Sequence, residues 1–189
     1  MPNNEAMHIE NSMDLLLVLL FSPGKTGESE PIEGITRLQK LMFLLQQGKG
    51  PSELVKQAQD YKYKPYKMGP YSSDLNKDLD ELKSAGLLAT EELEYLLPDD
   101  RIESEAGERE RDILNSGMRK VKSSRFELTK FGRRVAHDLY EGMSKAQKSE
   151  LVEFKTFFNS ITLRQLLIFV YEKYSDYASN STIKTQLGL

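Results

Sequence analysis

Apolar residues recur at helical spacing through most of this chain, and the breaks between the runs define its elements. The first run, Leu15 to Leu20, is apolar almost all the way round a helix predicted from Met13 to Phe21, the pattern of a buried helix. Asn11-Ser12 precedes it as a cap and Ser22-Pro23-Gly24 ends it. Residues 23–34 carry three Gly and two Pro and read as a loop. Thr36 with Gln39 three residues later forms a capping-box pattern and opens a helix with Leu38, Leu41, Met42 and Leu45 on one face. Gly48-Lys49-Gly50-Pro51 stops that helix, and a short polar helix is predicted from Ser52 to about Tyr61. Residues 61–71 contain two prolines and a Gly-Pro step, so they are extended or turning. Ser72 or Ser73 then caps a helix to Ala85 with Leu75, Leu79 and Leu82 inward, and Gly86 sits where a left-handed stop is wanted.

The second half is less regular. Leu87-Leu88 and Leu93 to Leu97 read as strand, residues 98–123 as a mobile, densely charged loop, and Arg125 to Leu128 as a strand again. Thr129 caps a helix to about Tyr140, and Ser144 with Gln147 makes a second capping box opening a helix through Phe158. A last helix runs from Thr162 to Tyr174. The order helix, helix, helix, strand, long loop, strand, helix predicts a mainly α fold with a small β-hairpin: a winged helix-turn-helix core with added C-terminal helices. The chain then divides into a flexible arm (1–10), a winged-helix domain (11–142) whose acidic wing loop spans 98–123, a helical extension (143–178) and a polar tail (179–189).

A length of 189 residues suits one such domain. The longest apolar run, Leu15 to Phe21, is seven residues, too short to span a membrane. Glu5, Glu10 and Asp14 precede it where a signal peptide would carry basic residues. The absence of cysteine excludes disulfides, thiolate metal sites and cysteine catalysis. These features together predict a cytoplasmic protein. The net charge of −3 gives no sign of a nucleic-acid binder in the totals.

Several segments resemble known families. Thr36-Arg37-Leu38-Gln39-Lys40-Leu41-Met42-Phe43-Leu44-Leu45 is similar to a first signature of the YwgA-like family of prokaryotic proteins. Tyr63 to Ser72, with Leu75, Asp78-Leu79, Leu82 and Gly86-Leu87, is similar to its second. Leu166 to Tyr177, followed by Ser181, fits its C-terminal part. Phe126 to Gly132 resembles the second wing strand and helix cap of PadR- and MarR-type winged-helix regulators. Lys-Leu-x-Phe-Leu and Gly-Pro-Tyr-Ser are similar, more distantly, to the Panacea domain of SocA-like antitoxins. The resemblance implies a winged-helix fold and no settled activity. The chain departs from the YwgA-like pattern at 46–60 and in its long acidic loop.

Chemistry-bearing motifs are few. Gly24-Lys25-Thr26 lacks the glycine that a phosphate loop needs five positions earlier, where Leu19 stands. His8 and His137 are the only histidines, with no motif that would make a zinc site or a triad. The ten carboxylates of residues 91–112 lack calcium-loop spacing and read as a solvated loop. No catalytic residue, metal or cofactor is expected.

The basic residues carry the binding expectations. Residues 119–134 hold seven basic side chains against Glu127 alone, and Arg119, Lys120, Lys122 and Arg125 fall where a wing meets phosphates. The competing reading is a basic strand balancing its acidic neighbour. Ser73, Asn76 and Lys77 on the third helix are the candidate groove contacts. That helix nonetheless carries Asp74, Asp78, Asp80 and Glu81 against Lys77 and Lys83, which phosphates would repel. Lys62, Lys64, Tyr66 and Lys67 alternate basic and aromatic groups and could contact a nucleic acid or a partner. Two functions follow as expectations. One is a transcriptional regulator binding duplex DNA through its wing; the other is a non-enzymatic adaptor or antitoxin-like protein-interaction module. Surplus apolar residues in 144–174 suggest a homodimer.

Overall fold

The computed structural model describes residues 8–51, 61–98, 113–114 and 118–189. Asn11 accepts the Asp14 N–H at 2.9 Å and starts α1 (Ser12–Phe21), in which every residue from Leu15 to Leu20 is buried. Each such leucine contributes about 2 kcal/mol by leaving water. β1 (Ile32–Glu33) lies inside the stretch predicted to be loop. Two residues are too few to show alternation, and the strand exists because Ile32 pairs with Phe126 across the sheet.

α2 (Ile35–Leu44) starts from Gly34 at φ 94, and the predicted Thr36–Gln39 capping box does not form. Thr36 Oγ1 donates to Met68 Sδ at 3.7 Å, and Gln39 turns inward to Ser72. Eight of the ten α2 residues are buried, so their polar groups must find partners in the interior. A π turn, Leu45–Lys49, follows and ends through Gly48 at φ 73. The short helix predicted from Ser52 lies outside the described residues.

Residues 64–71 form a hairpin of β2 (Lys64–Tyr66) and β3 (Gly69–Tyr71). Its prolines disguise it, yet Pro65 stands opposite Pro70, a pairing that needs no N–H from either residue. α3 (Ser73–Ser84) buries Leu75, Leu79 and Leu82 and gives way to Gly86 at φ 70, as its spacing predicts.

β4 (Leu88–Pro98) and β6 (Met118–Leu128) pair antiparallel over eleven residues each. β5 (Ile113–Leu114) adds to the start of β6, and the sheet order is β1–β6–β4. The predicted loop 98–123 is therefore corrected at its C-terminal end, where residues 118–123 are strand. Lys120 and Lys122 share one face here with Glu94, and Val121 is the one buried apolar side chain described in this part of the hairpin, too little to mark an alternation. Pro98 and Ile113–Leu114 are strand as well, and residues 99–112 and 115–117 lie outside the described residues.

α4 (Lys130–Glu141) is capped by Thr129, whose Oγ1 accepts the Gly132 N–H at 3.0 Å. α5 (Lys145–Ser160) opens with the predicted Ser144–Gln147 capping box, and α6 (Leu163–Lys173) with a further one, Thr162–Gln165. Both ends of the described chain are better packed than predicted. Ile9 of the arm is buried, and the polar tail carries α7 (Lys184–Leu187) with Leu187 buried. The described residues thus form seven α-helices and a small antiparallel sheet, and none of those helices is long and apolar enough to cross a membrane.

One apolar core joins α1, α2, α3, the root of the sheet and α4 to α7. Leu151, Phe154, Phe158, Leu163, Leu166, Leu167 and Val170, all counted toward the homodimer expectation, lie inside it. Phe157 remains outside, 56% exposed.

Candidate interaction surface

The two segments that resemble family signatures are one joint in three dimensions. Along α2, Arg37 donates to Phe158 O and Ile161 O, both at 2.9 Å, closing the C-terminus of α5. Gln39 Nε2 donates to Ser72 O at 2.8 Å while Oε1 accepts the Ser72 N–H at 2.9 Å. Lys40 Nζ, buried to 2% exposure, donates to Pro70 O at 2.9 Å. These polar side chains clip the hairpin and the start of α3 to the core.

Of the predicted groove contacts, the clip consumes Asn76. Its Oδ1 accepts from Gln39 Nε2 and its Nδ2 donates to the Tyr71 hydroxyl, each at 2.9 Å. Ser73 is exposed on the first turn of α3. Lys77 is exposed but bonded to Asp74 at 3.0 Å, a contact that raises its pKa. Asp78 accepts from the Tyr61 hydroxyl at 2.6 Å; burial first, and that bond second, push the phenol's pKa up. Lys83 meets Asp80 at 3.5 Å, and Glu81 faces solvent beside them. The outer face of α3 is therefore acidic in excess.

The wing cations are matched by their own sheet. Lys120 Nζ lies 2.6 Å from Glu94 Oε2, and Lys122 Nζ lies 4.0 Å from Oε1 of the same carboxylate. Arg125 reaches Glu91 at 3.5 Å. The register explains this, setting Glu91 opposite Arg125 and Glu94 opposite Lys122. The Lys120 contact in particular holds the Glu94 carboxyl below its usual range. Arg119 is placed by its main chain, opposite Leu97. Lys120, Lys122 and Arg125 are thus each paired within the sheet while staying about half exposed.

The alternating Lys/Tyr segment divides by side. Tyr61 and Tyr63 turn inward, Tyr63 with its ring 5.1 Å from that of Phe43. Lys62, Lys64, Tyr66 and Lys67 are exposed, with the Tyr66 ring 5.0 Å from Tyr71.

The remaining motifs have structural partners. The Gly24-Lys25-Thr26 turn folds onto Glu30, whose Oε1 accepts from Thr26 N–H and Oγ1 at 3.2 and 2.9 Å, so a carboxylate occupies the turn. His137 is exposed and packs edge-on against Phe21 at 5.9 Å. Lys155 is a buried cation outside every sequence expectation. Its Nζ donates to Leu20 O at 3.0 Å and Ser22 O at 2.6 Å, and burial holds its pKa down to about 7. Its place in the Leu151, Phe154, Phe158 stripe is the signal that could have revealed it. Among the described residues no group of three or more His, Asp and Glu side chains is arranged to hold a metal ion.

No family model, no curated protein and no solved structure matches this chain.

Proposed function

We propose that this chain is a winged-helix module without catalytic chemistry that binds a basic protein segment through the outer face of α3. The winged-helix reading is supported by the order α1, β1, α2, α3, β4, β6, with the β2–β3 hairpin inserted before α3 and β5 before β6, and by the sheet order β1–β6–β4, in which the short first strand pairs with the last. The observation that carries the partner class is the charge of α3. Asp74, Asp80 and Glu81 outnumber the cations on the face a groove-reading helix would turn to phosphates, and Asn76 is bonded inward. An acidic face repels a polyanion and attracts a cationic partner. The distant likeness to the Panacea domain of SocA-like antitoxins points the same way, to a prokaryotic adaptor or antitoxin-like component.

The test uses two labelled probes at about 50 mM salt, a random DNA duplex and a Lys/Arg-rich helical peptide, each titrated with protein by fluorescence anisotropy. The peptide is expected to bind, and Asp80→Lys with Glu81→Lys to abolish that binding. Tight duplex binding that weakens steeply with salt, with no binding of the peptide, would instead establish the DNA-binding regulator. In that case the exposed Lys62, Lys64, Lys67 and Ser73 would be the candidate contacts.

A further inference from the structure

The hairpin 64–71 is held from two sides by different means. On the α2 side its anchors are buried: Lys40 on Pro70 O, and Gln39 on Ser72. On the opposite side, residues 180–182 supply the donors. The Thr182 N–H donates to Lys67 O at 2.9 Å, Thr182 Oγ1 to the same oxygen at 3.4 Å, and Asn180 Nδ2 to Pro65 O at 3.4 Å. Only the Thr182 contact is main chain to main chain; Asn180 reaches Pro65 O with its side-chain amide. Pro65 has no N–H, so at that residue the edge can accept but not donate, and an ordinary strand could not complete its ladder there.

This second attachment is lighter than the first. Asn180 and Thr182 are exposed, and residues 175–187 hold on through buried Ala178 and Leu187, through Tyr177 edge-on to Phe43 at 4.8 Å, and through Arg164, which donates to Leu187 O at 3.0 Å. Segments with few buried apolar groups and exposed hydrogen bonds open locally at a cost well below global unfolding. α6, which precedes the segment, buries Leu163, Leu166, Leu167 and Val170. Tyr171 joins the two parts: its hydroxyl meets Ser181 Oγ at 2.9 Å, and a Cβ on Gly69 would come within 2.6 Å of its ring.

We propose that residues 175–187 form a latch that opens and closes on the β2 edge while the core stays folded, and that the closed latch fixes the hairpin leading into α3. When it opens, the hairpin stays anchored at Pro70 and Ser72 and loses its hold on Pro65 and Lys67. The latch goes beyond the function proposed above and acts whichever ligand α3 takes.

Hydrogen exchange of the full chain, followed by mass spectrometry, tests this. Amides in 175–187 and 64–68 are expected to exchange through a common opening, far faster than those of α1 and α2. Thr182→Pro and Asn180→Ala should each speed exchange in 64–68 roughly five- to tenfold, with α1 and α2 unchanged. Tyr171→Phe should speed exchange within 175–187. Two results would overturn the proposal: a latch that exchanges only with α1 and α2, or a hairpin unaffected by both substitutions. Asn180 is exposed, so its replacement keeps the test valid if the proline variant fails to fold.

Discussion

At Gly132 helix propensity and packing pull in opposite directions. Replacing an interior helical glycine with alanine ordinarily gains about 1 kcal/mol. Here a Cβ would run into the main-chain oxygen of Leu87, which cannot swing aside as a side-chain tip would. Gly132→Ala should therefore lose about 2 kcal/mol, read as a lower urea midpoint at unchanged slope. Lys155 gives a prediction in pH. Burial holds its folded pKa near 7, against an ordinary value of about 10.4 in the unfolded chain. Between those values the unfolded chain carries a proton that the folded one lacks, so stability rises with pH from about 7 toward 10. The gain should approach about 1.4 kcal/mol per pH unit at its steepest. Lys155→Met removes the titrating group, and urea midpoints at pH 7, 8 and 9 should then lose that slope. A slope that survives the substitution would assign it to other groups. Glu30 works at the acid end. Burial raises its pKa, but hydrogen bonds from Asn159 and Thr26 outweigh this and leave it lowered, so its contribution is lost only as pH falls through the folded value.

At the scale of elements, the wing hairpin shows how pairing decides what a charged strand can do. Glu91 and Glu94 sit on β4 at the positions that meet Arg125, Lys122 and Lys120. Such half-exposed pairs stabilise the fold little, at most about 1 kcal/mol each. Their larger effect is to cancel the field that a phosphate backbone would feel. Glu91→Ala with Glu94→Ala should therefore strengthen duplex binding relative to the parent chain. Three released cations predict a loss of roughly fortyfold in affinity between about 50 and 200 mM salt. A double variant that binds duplex no better than the parent would show that charge matching does not limit DNA binding. The same elements show what the sequence made legible. Helices with a clear apolar stripe or capping box (α3, α4, α5) fall within a residue or two of their predicted bounds. The strands that escaped are those with too few apolar positions to alternate: β1 and β5 are two residues long, and half of residues 118–123 are charged. Gln39 was misread because its neighbours matched a local cap, whereas its partner Ser72 lies 33 residues away. Asn76 was offered to DNA for the same reason, since nothing local reveals the Gln39–Asn76–Tyr71 chain of bonds.

For the whole molecule, the question is how much apolar surface the fold leaves outside. The helices from 145 to 173 carry enough apolar residues to have suggested self-association, yet Leu151, Phe154, Phe158, Leu166 and Val170 are spent on a core shared with α1 and α2. Among the described residues, the large apolar side chains left exposed are spread over several elements: Leu96 on β4 at 57%, Phe131 on α4 and Phe157 on α5 at 56%, Tyr66 on β2 at 50%, with Leu189 at 43% and Tyr95 at 36%. A stable homodimer buries about 800 Å² on each partner, with an apolar centre. One half-exposed phenylalanine on α5 falls well short of that. The chain should therefore run as a monomer across micromolar concentrations in sedimentation velocity, and Phe157→Ser should leave its sedimentation coefficient unchanged. A coefficient that rises with concentration, and falls back in the Phe157→Ser protein, would put a dimer on α5. Monomeric behaviour would instead leave the acidic outer face of α3 open on every copy, the condition that binding a basic partner one-to-one requires.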